Sequence, residues 1–190
     1  LPAVVEDAVR GGATLVQLRE KEMEFAAFLD EARRVKAVTD RYHVPFVIND
    51  DIEVARACNA DGVHIGQDDA AVSEARRILG PDKIIGVSAH TVDEARAAEQ
   101  AGADYLGVGA VFSTSTKLDA DIVTLQTLRG IRAAVSIPIV AIGGINVENM
   151  LQLKGSGIDG AAVVSALFAQ QDVYAAAKRL YATSKELVFG

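Results

Sequence analysis

The feature that most limits how this chain can fold is an alternation. Seven short runs rich in Val, Ile and Leu recur along it: "TLVQLR" (14–19), "PFVIN" (45–49), "DGVHI" (61–65), "KIIGVS" (83–88), "DYLGVG" (104–109), "IPIVAI" (137–142) and "GAAVVS" (160–165). Most are nearly continuous in apolar residues, the pattern of parallel strands covered on both faces. Amphipathic helices separate them. "FAAFLDEARRVKAVTDRY" sets Phe25, Phe28, Leu29, Ala32, Val35 and Val38 on one side. "TVDEARAAEQAG" opens with Thr91 as N-cap and Glu94 three residues on, a capping box, and stops at Gly102. Residues 1–10 also read as a helix, with Leu1, Val4, Val5, Ala8 and Val9 on one face. Similar turns at Asn59–Gly62, Gly102–Asp104 and Gly157–Gly160 lead helices into strands and echo one another.

This alternation places the chain in the α/β class. No linker or low-complexity stretch interrupts it, so residues 1–190 read as a single domain, long enough for a sizeable core. A closed (β/α)8 TIM barrel needs eight strands. Seven strands with a helix ahead of the first lead to the expectation of such a barrel whose first strand, upstream of Leu1, is missing from this chain. An open doubly wound sheet has the same periodicity and remains an alternative. Half of the residues are hydrophobic, which argues against disorder. With 19 Lys and Arg against 26 Asp and Glu, the formal charge of −7 disfavours nucleic acid as a partner, while leaving room for a local basic pocket. The single cysteine, Cys58, excludes an internal disulfide and reads as a buried, inert thiol. No apolar run approaches the roughly 18 residues of a membrane span, and no leader pattern is visible. A cytoplasmic location without membrane contact is expected.

In a barrel the loops that follow the strands open on one face and carry the active site. Arg19, Glu20 and Lys21 follow the first run, and two cations at a strand end make an anion clamp. Asn49, Asp50 and Asp51 follow the second; Asn49 and Asp50 either cap the next helix or belong to a site. Gly66, Gln67, Asp68 and Asp69 follow the third, with the same two readings for Asp68 and Asp69. Asp50 and Asp69 together bring carboxylates from neighbouring strands to one hard cation, and few carboxylates with several waters suit Mg2+ carried on phosphates. His64 packs in or under the site rather than titrating, and His43 and His90 read as surface or loop residues. "FSTSTK" sets Ser113, Thr114, Ser115, Thr116 and Lys117 behind the fifth run. Gly143 and Gly144 end the sixth, as a tight turn or a backbone cradle for phosphate with helix N–H groups donating. Ser165 ends the seventh. Two anion sites result. One is cationic and metal-assisted (Arg19, Lys21, Lys117, Asp50, Asp69). The other is neutral (Gly143, Gly144, Ser165, Thr114, Thr116). That pairing points to an enzyme processing two phosphorylated small molecules.

The segments "VQLREK" (16–21), "INDD" (48–51), "HIGQDD" (64–69), "GVSAHT" (86–91), "ADYLGVGAVFSTSTK" (103–117), "PIVAIGGI" (138–145) and "VVSAL" (163–167) are similar, in order and spacing, to those of the thiamine phosphate synthase family. Ala110 and Ser113 stand where that family often has Pro. The resemblance implies a (β/α)8 barrel that couples a pyrimidine methyl pyrophosphate to a thiazole phosphate. It implies that Gln17, Arg19, Lys21, Asn49 and Lys117 hold the pyrimidine and its pyrophosphate, that Asp50 and Asp69 hold Mg2+, and that Ser88 lies beside the pyrimidine. Thr114, Ser115, Thr116, Gly144, Val164 and Ser165 would hold the thiazole phosphate. The chemistry implied is loss of pyrophosphate with much charge separation before the thiazole nitrogen attacks, with no general base. Rival readings are a thiazole tautomerase, a Schiff-base aldolase or isomerase using Lys117, and a silent ligand-binding paralogue.

Overall fold

The computed structural model describes residues 1–113 and 122–189 and, for Asp69 and Ala70, the backbone alone. In chain order the elements are α1 (Pro2–Arg10), β1 (Val16–Leu18), α2 (Phe25–Arg41), β2 (Phe46–Asn49), α3 (Ile52–Ala57), β3 (Gly62–Ile65), α4 (Asp69–Leu79), β4 (Ile84–Ala89), α5 (Val92–Ala101), β5 (Tyr105–Val108), α6 (Leu125–Ala134) and β6 (Ile139–Ile142). A 3-10 helix (Met150–Leu153), β7 (Gly160–Ala162), α7 (Ser165–Phe168) and α8 (Val173–Phe189) complete them. All seven expected strands form. β1 and β7 contract most, because each has a laddered neighbour on one side only.

The strands make one sheet in the order β1-β2-β3-β4-β5-β6-β7, every pair parallel. A doubly wound sheet reverses its strand order at a switch point. This sheet never does, so that alternative falls and the architecture is a curled, TIM-barrel-like half-barrel. β1 and β7 do not pair with each other among the described residues.

Register separates the two faces. Leu18, Ile48, Val63 and Ile85 share one row, and Ile65, Val87, Leu106 and Ile139 another. All are buried in one core with Phe28, Ala32 and Val35 of α2, Val54 of α3 and Leu128 and Ile131 of α6. The other face carries Gln17, Asn49, His64, Gly86, Ser88, Tyr105 and Gly107. The strands therefore alternate more than their sequence suggests, since glycines on the inner face mask the change from apolar to polar. Three expected core residues are not in the core: Leu1, Val4 and Phe25 lie at 51%, 37% and 51% exposure. They sit at the first turns of α1 and α2. Cys58 is buried as expected, and burial pushes its thiol up.

The helical layer runs on past the sheet edge. α1 packs against both α2 and α8. Glu6 of α1 accepts from the Tyr42 hydroxyl at 2.6 Å and from Arg41 at 3.0 Å. At α5, Thr91 accepts from the Glu94 N–H at 3.2 Å, while the Glu94 carboxylate reaches the His90 N–H rather than that of Thr91. Gly102, at φ 97°, ends the helix as expected.

The echoing turns have one physical job. Asp61 donates its backbone N–H to the Phe46 carbonyl and accepts the Phe46 N–H on its carboxylate, both at 2.8 Å. Asp104 does the same with Ile85 (2.8 and 2.7 Å), and Asp159 with Ile139 (2.8 and 2.8 Å). Each carboxylate also meets a cation from the helix preceding the clasped strand: Lys36 at 3.6 Å, Arg76 at 2.8 Å and Arg132 at 3.2 Å. Three identical clasps thus close the N-terminal end of the sheet at β2/β3, β4/β5 and β6/β7.

Candidate active site

The opposite end of the sheet gathers residues that do not repeat. Arg19 leaves β1 directly and Lys21 follows two residues later, both exposed. Asn49 closes β2 and donates its Nδ2 to Asp50 Oδ2 at 2.8 Å. The Asp50 N–H donates to the His64 carbonyl at 2.8 Å, tying the end of β2 to β3. Asp50 sits at φ 63°, a left-handed conformation that a short polar side chain tolerates. Its neighbour Asp51 accepts the Val54 N–H at 2.8 Å and caps α3. Of the three polar residues, the helix uses Asp51, which frees Asn49 and Asp50 for a site. α4 begins at Asp69, and the Asp68 carbonyl accepts from Ala71 and Val72 at 2.9 and 3.2 Å. The Asp69 side chain lies outside the described residues. Among the described residues no group of three or more His, Cys, Asp or Glu could hold a metal.

Behind this rim lies a polar network that the sequence pattern only half anticipates. His64 is 8% exposed. Its Nδ1 lies 2.9 Å from the Tyr105 hydroxyl and its Nε2 lies 3.0 Å from Ser88 Oγ. β3, β4 and β5 each contribute one member, and Gln17 of β1 acts on the Tyr105 hydroxyl so as to favour its ionised form. Two glycines make the room: a Cβ on Gly86 would overlap the Tyr105 ring, and one on Gly107 would come within 2.8 Å of the His64 ring. Burial holds the His64 imidazole down to about 4, only partly countered by the charge of Asp50. Burial also pushes the Tyr105 hydroxyl up to about 12, against the smaller effect of Gln17. Both groups are therefore neutral at ordinary pH. His64 packs under the site as expected. Tyr105 is not among the expected site residues, although glycines two apart from polar residues on successive strands (Gly62 and His64, Gly86 and Ser88, Tyr105 and Gly107) signal a shared inner face.

At the other side of the rim the expected cradle is built differently. Gly143 and Gly144 have φ of 100° and 65°, open to glycine at little cost. A Cβ on either would collide with the loop after β5, at Ala110 and at the Ser113 carbonyl respectively. Val111 and Phe112 donate to the Ile142 and Gly143 carbonyls at 2.9 and 3.1 Å. The glycines thus admit the neighbouring loop. No α-helix follows them: Asn146 takes the Glu148 and Asn149 N–H groups, and the short 3-10 helix starts only at Met150. The expected helix N–H donors after β6 are therefore not formed at these glycines. A four-residue helix instead begins at Ser165, just past β7, with Val164 and Ser165 exposed. Val123 donates to the Ala110 carbonyl at 2.7 Å, just past the end of β5. Thr114, Ser115, Thr116 and Lys117 lie outside the described residues.

The rim thus offers exposed cations beside β1, an amide–carboxylate pair beside β2, and a hydroxyl at β4 backed by a neutral imidazole. Such a set can bind anions and orient a polar ring, but contains no acid or base poised near neutrality in its buried network. Comparison with known proteins gives this arrangement a context. The family model described as thiamine monophosphate synthase matches residues 1–167. A thiamine-phosphate synthase of Ruminiclostridium cellulolyticum is 54% identical over 180 residues, 95% of this chain and 86% of the relative. One from Clostridium tetani is 49% identical over the same shares. The solved structure of a thiamine phosphate pyrophosphorylase from Pyrococcus furiosus superposes with a TM-score of 0.91 at 39% identity, covering 99% of this chain and 90% of that one. With its family model matched over most of its length, the chain belongs to the thiamine monophosphate synthase family.

Proposed function

We propose that this chain is a thiamine phosphate synthase, a transferase that joins 4-amino-2-methylpyrimidine-5-methyl pyrophosphate to thiazole phosphate and releases pyrophosphate. The observation that carries this reading is the 54% identity to a thiamine-phosphate synthase over 95% of the chain. In the reaction, the bond between the pyrimidine's methylene carbon and the pyrophosphate oxygen breaks, and its electron pair leaves with the pyrophosphate. The thiazole nitrogen then donates its lone pair to that carbon.

The chain's own residues suit these steps. Arg19 and Lys21, exposed beside β1, and Lys117 would meet the pyrophosphate and stabilise the charge it gains on departure. Gln17, Asn49 and Ser88 would hold the pyrimidine. Thr114, Ser115, Thr116, Gly144, Val164 and Ser165 would take the thiazole phosphate, the neutral donors adding no positive charge near a forming cation. Holding both substrates together supplies the rest through orientation. No proton need be removed in the coupling, which agrees with a His64 neutral down to about pH 4.

Asp50 and Asp69 would hold Mg2+. Asp50 suits the ion because its carboxylate is exposed, and only Oδ2 is tied, to Asn49, among the described residues. Two carboxylates leave most of an octahedral shell to water and phosphate oxygens, the donor set this ion prefers. When bound, it would neutralise charge on the departing pyrophosphate. The domain we propose is a single (β/α) barrel domain over residues 1–190, a reading that the packing of α1 on both α2 and α8 supports. A cytoplasmic location agrees with the absence, among the described residues, of any helix long and apolar enough to cross a membrane.

The test is to mix the protein with pyrimidine pyrophosphate, thiazole phosphate and Mg2+ and follow thiamine phosphate with and without EDTA. Metal-dependent product is expected. A folded sample without product would move the chain toward a thiazole tautomerase or a silent binder.

A further inference from the structure

We infer that Ile142 is the apolar seat of the thiazole ring, and so a specificity-determining residue for the second substrate, because the inner face of the sheet divides into a polar half that ends at Tyr105 of β5 and an apolar half on β6 and β7. The inference rests on the reading above that Gly144 and Ser165 take the phosphate of that substrate.

Register builds the division. Ser88, Gly107, Val140 and Gly160 make one row of the inner face, and Ile142 and Ala162 stand one step nearer the rim. Up to β5 this face carries Gln17, Asn49, His64, Ser88 and Tyr105, whereas β6 and β7 give it Val140, Ile142, Gly160 and Ala162. Ile142 has small neighbours on both sides. Ala162 pairs with it on β7, and on the β5 side a Cβ at Gly109 would come within 2.9 Å of Ile142 Cγ2. The side chain thus lies over a glycine and is 37% exposed, while Ile139 and Ala141 of the same strand are fully buried. A branched hydrocarbon at the mouth of a site offers dispersion contacts and no hydrogen bond. It suits the flat, weakly polar face of a sulfur-containing ring. It offers nothing to the amino group and ring nitrogens of the pyrimidine, which the polar half can meet. Position agrees with chemistry. Gly144 lies two residues beyond Ile142, and the exposed Val164 lies two residues beyond Ala162. A ligand whose phosphate rests at Gly144 and Ser165 sets its ring beside Ile142. Between this seat and Ser88, β5 and its extension place Gly107 and Gly109 on the inner face, so the two rings meet over glycines.

The experiment compares wild type with Ile142→Ala in steady-state turnover of pyrimidine pyrophosphate and thiazole phosphate with Mg2+. Each protein is also titrated with thiazole phosphate by calorimetry in the presence of Mg2+ and pyrophosphate. The Ile142 carbonyl accepts the Val111 N–H at 2.9 Å, so the backbone stays tied when the side chain is cut back. KM and Kd for thiazole phosphate should both rise roughly tenfold, with KM for pyrimidine pyrophosphate unchanged. Inorganic phosphate, which carries no ring, should keep its inhibition constant against thiazole phosphate. Equal changes in both KM values, no change in either, or a parallel weakening of inorganic phosphate overturns the seat. Ile142→Val removes a single methyl group and should raise the thiazole phosphate KM about threefold, which preserves the test if Ile142→Ala fails to fold. Wild-type protein that binds thiazole phosphate more tightly than Ile142→Ala yet forms no thiamine phosphate overturns the proposed reaction while the seat stands. Wild-type turnover with the thiazole phosphate KM unmoved in both variants overturns the seat while the reaction stands.

Discussion

The two ends of the sheet are built on opposite logics. At the N-terminal end, Asp61, Asp104 and Asp159 make the same pair of bonds to the strand before them, each beside a cation from the helix that precedes that strand. At the C-terminal end Arg19, Asn49, Asp50, Ser88 and Ser165 repeat no common bonding pattern and share only their place at or just past a strand end. The difference follows from the problem each end solves. Every parallel strand starts with a backbone N–H that needs an acceptor, so one solution serves three times. The site proposed for two different phosphorylated molecules has no such symmetry, so each strand end carries its own group.

If the division is real, substitutions should separate stability from activity. The largest effect belongs to the rim: Arg19→Ala should lower kcat/KM by about 10²–10³ with the thermal midpoint nearly unmoved. A large fall in that midpoint would make Arg19 structural and blur the comparison. Next is the buried layer between the ends. His64 has a folded value near 4, below the ordinary 6.5. Its contribution is full above about pH 6.5 and is lost as pH falls toward 4, on the order of 3 kcal/mol in all. Urea midpoints from pH 7 to 4 for wild type and His64→Gln should converge in that window, and parallel curves would refute the assignment. Third, Asp104→Ala strands the Ile85 N–H and takes a carboxylate partner from Arg76, and should cost about 2 kcal/mol, roughly 4–8 °C in Tm, with kcat/KM intact. Smallest is Asp51→Ala, a rim residue spent on capping α3: about 1 kcal/mol of stability, without effect on turnover. Loss of turnover in Asp51→Ala would show that Asp50 is not the site's carboxylate on this strand.

Much of this was legible in the chain alone. The seven apolar runs became seven strands, and the echo among Asn59–Gly62, Gly102–Asp104 and Gly157–Gly160 pointed at the clasps without showing what they hold. The polar identities behind each run located the rim, because in this architecture all strand ends open on one side. Three readings needed coordinates. Asp51 as cap depends on the left-handed turn at Asp50, which no spacing rule reveals. The reason for Gly143 and Gly144 lies in a loop some thirty residues away in sequence. Tyr105 is an ordinary strand aromatic until the register sets it across β4 from His64.

Sequence by itself determined the class of fold, the order of its elements and the chemical character of the rim, since periodicity and residue type are local properties that survive in a string of letters. Only the tertiary structure decided that the strands never reverse their order, which glycine makes room for which ring, and that Gln17, Tyr105, His64 and Ser88 are neighbours. Those are contacts between strands distant in the chain, and they exist because parallel pairing brings every second residue of each strand to one inner face.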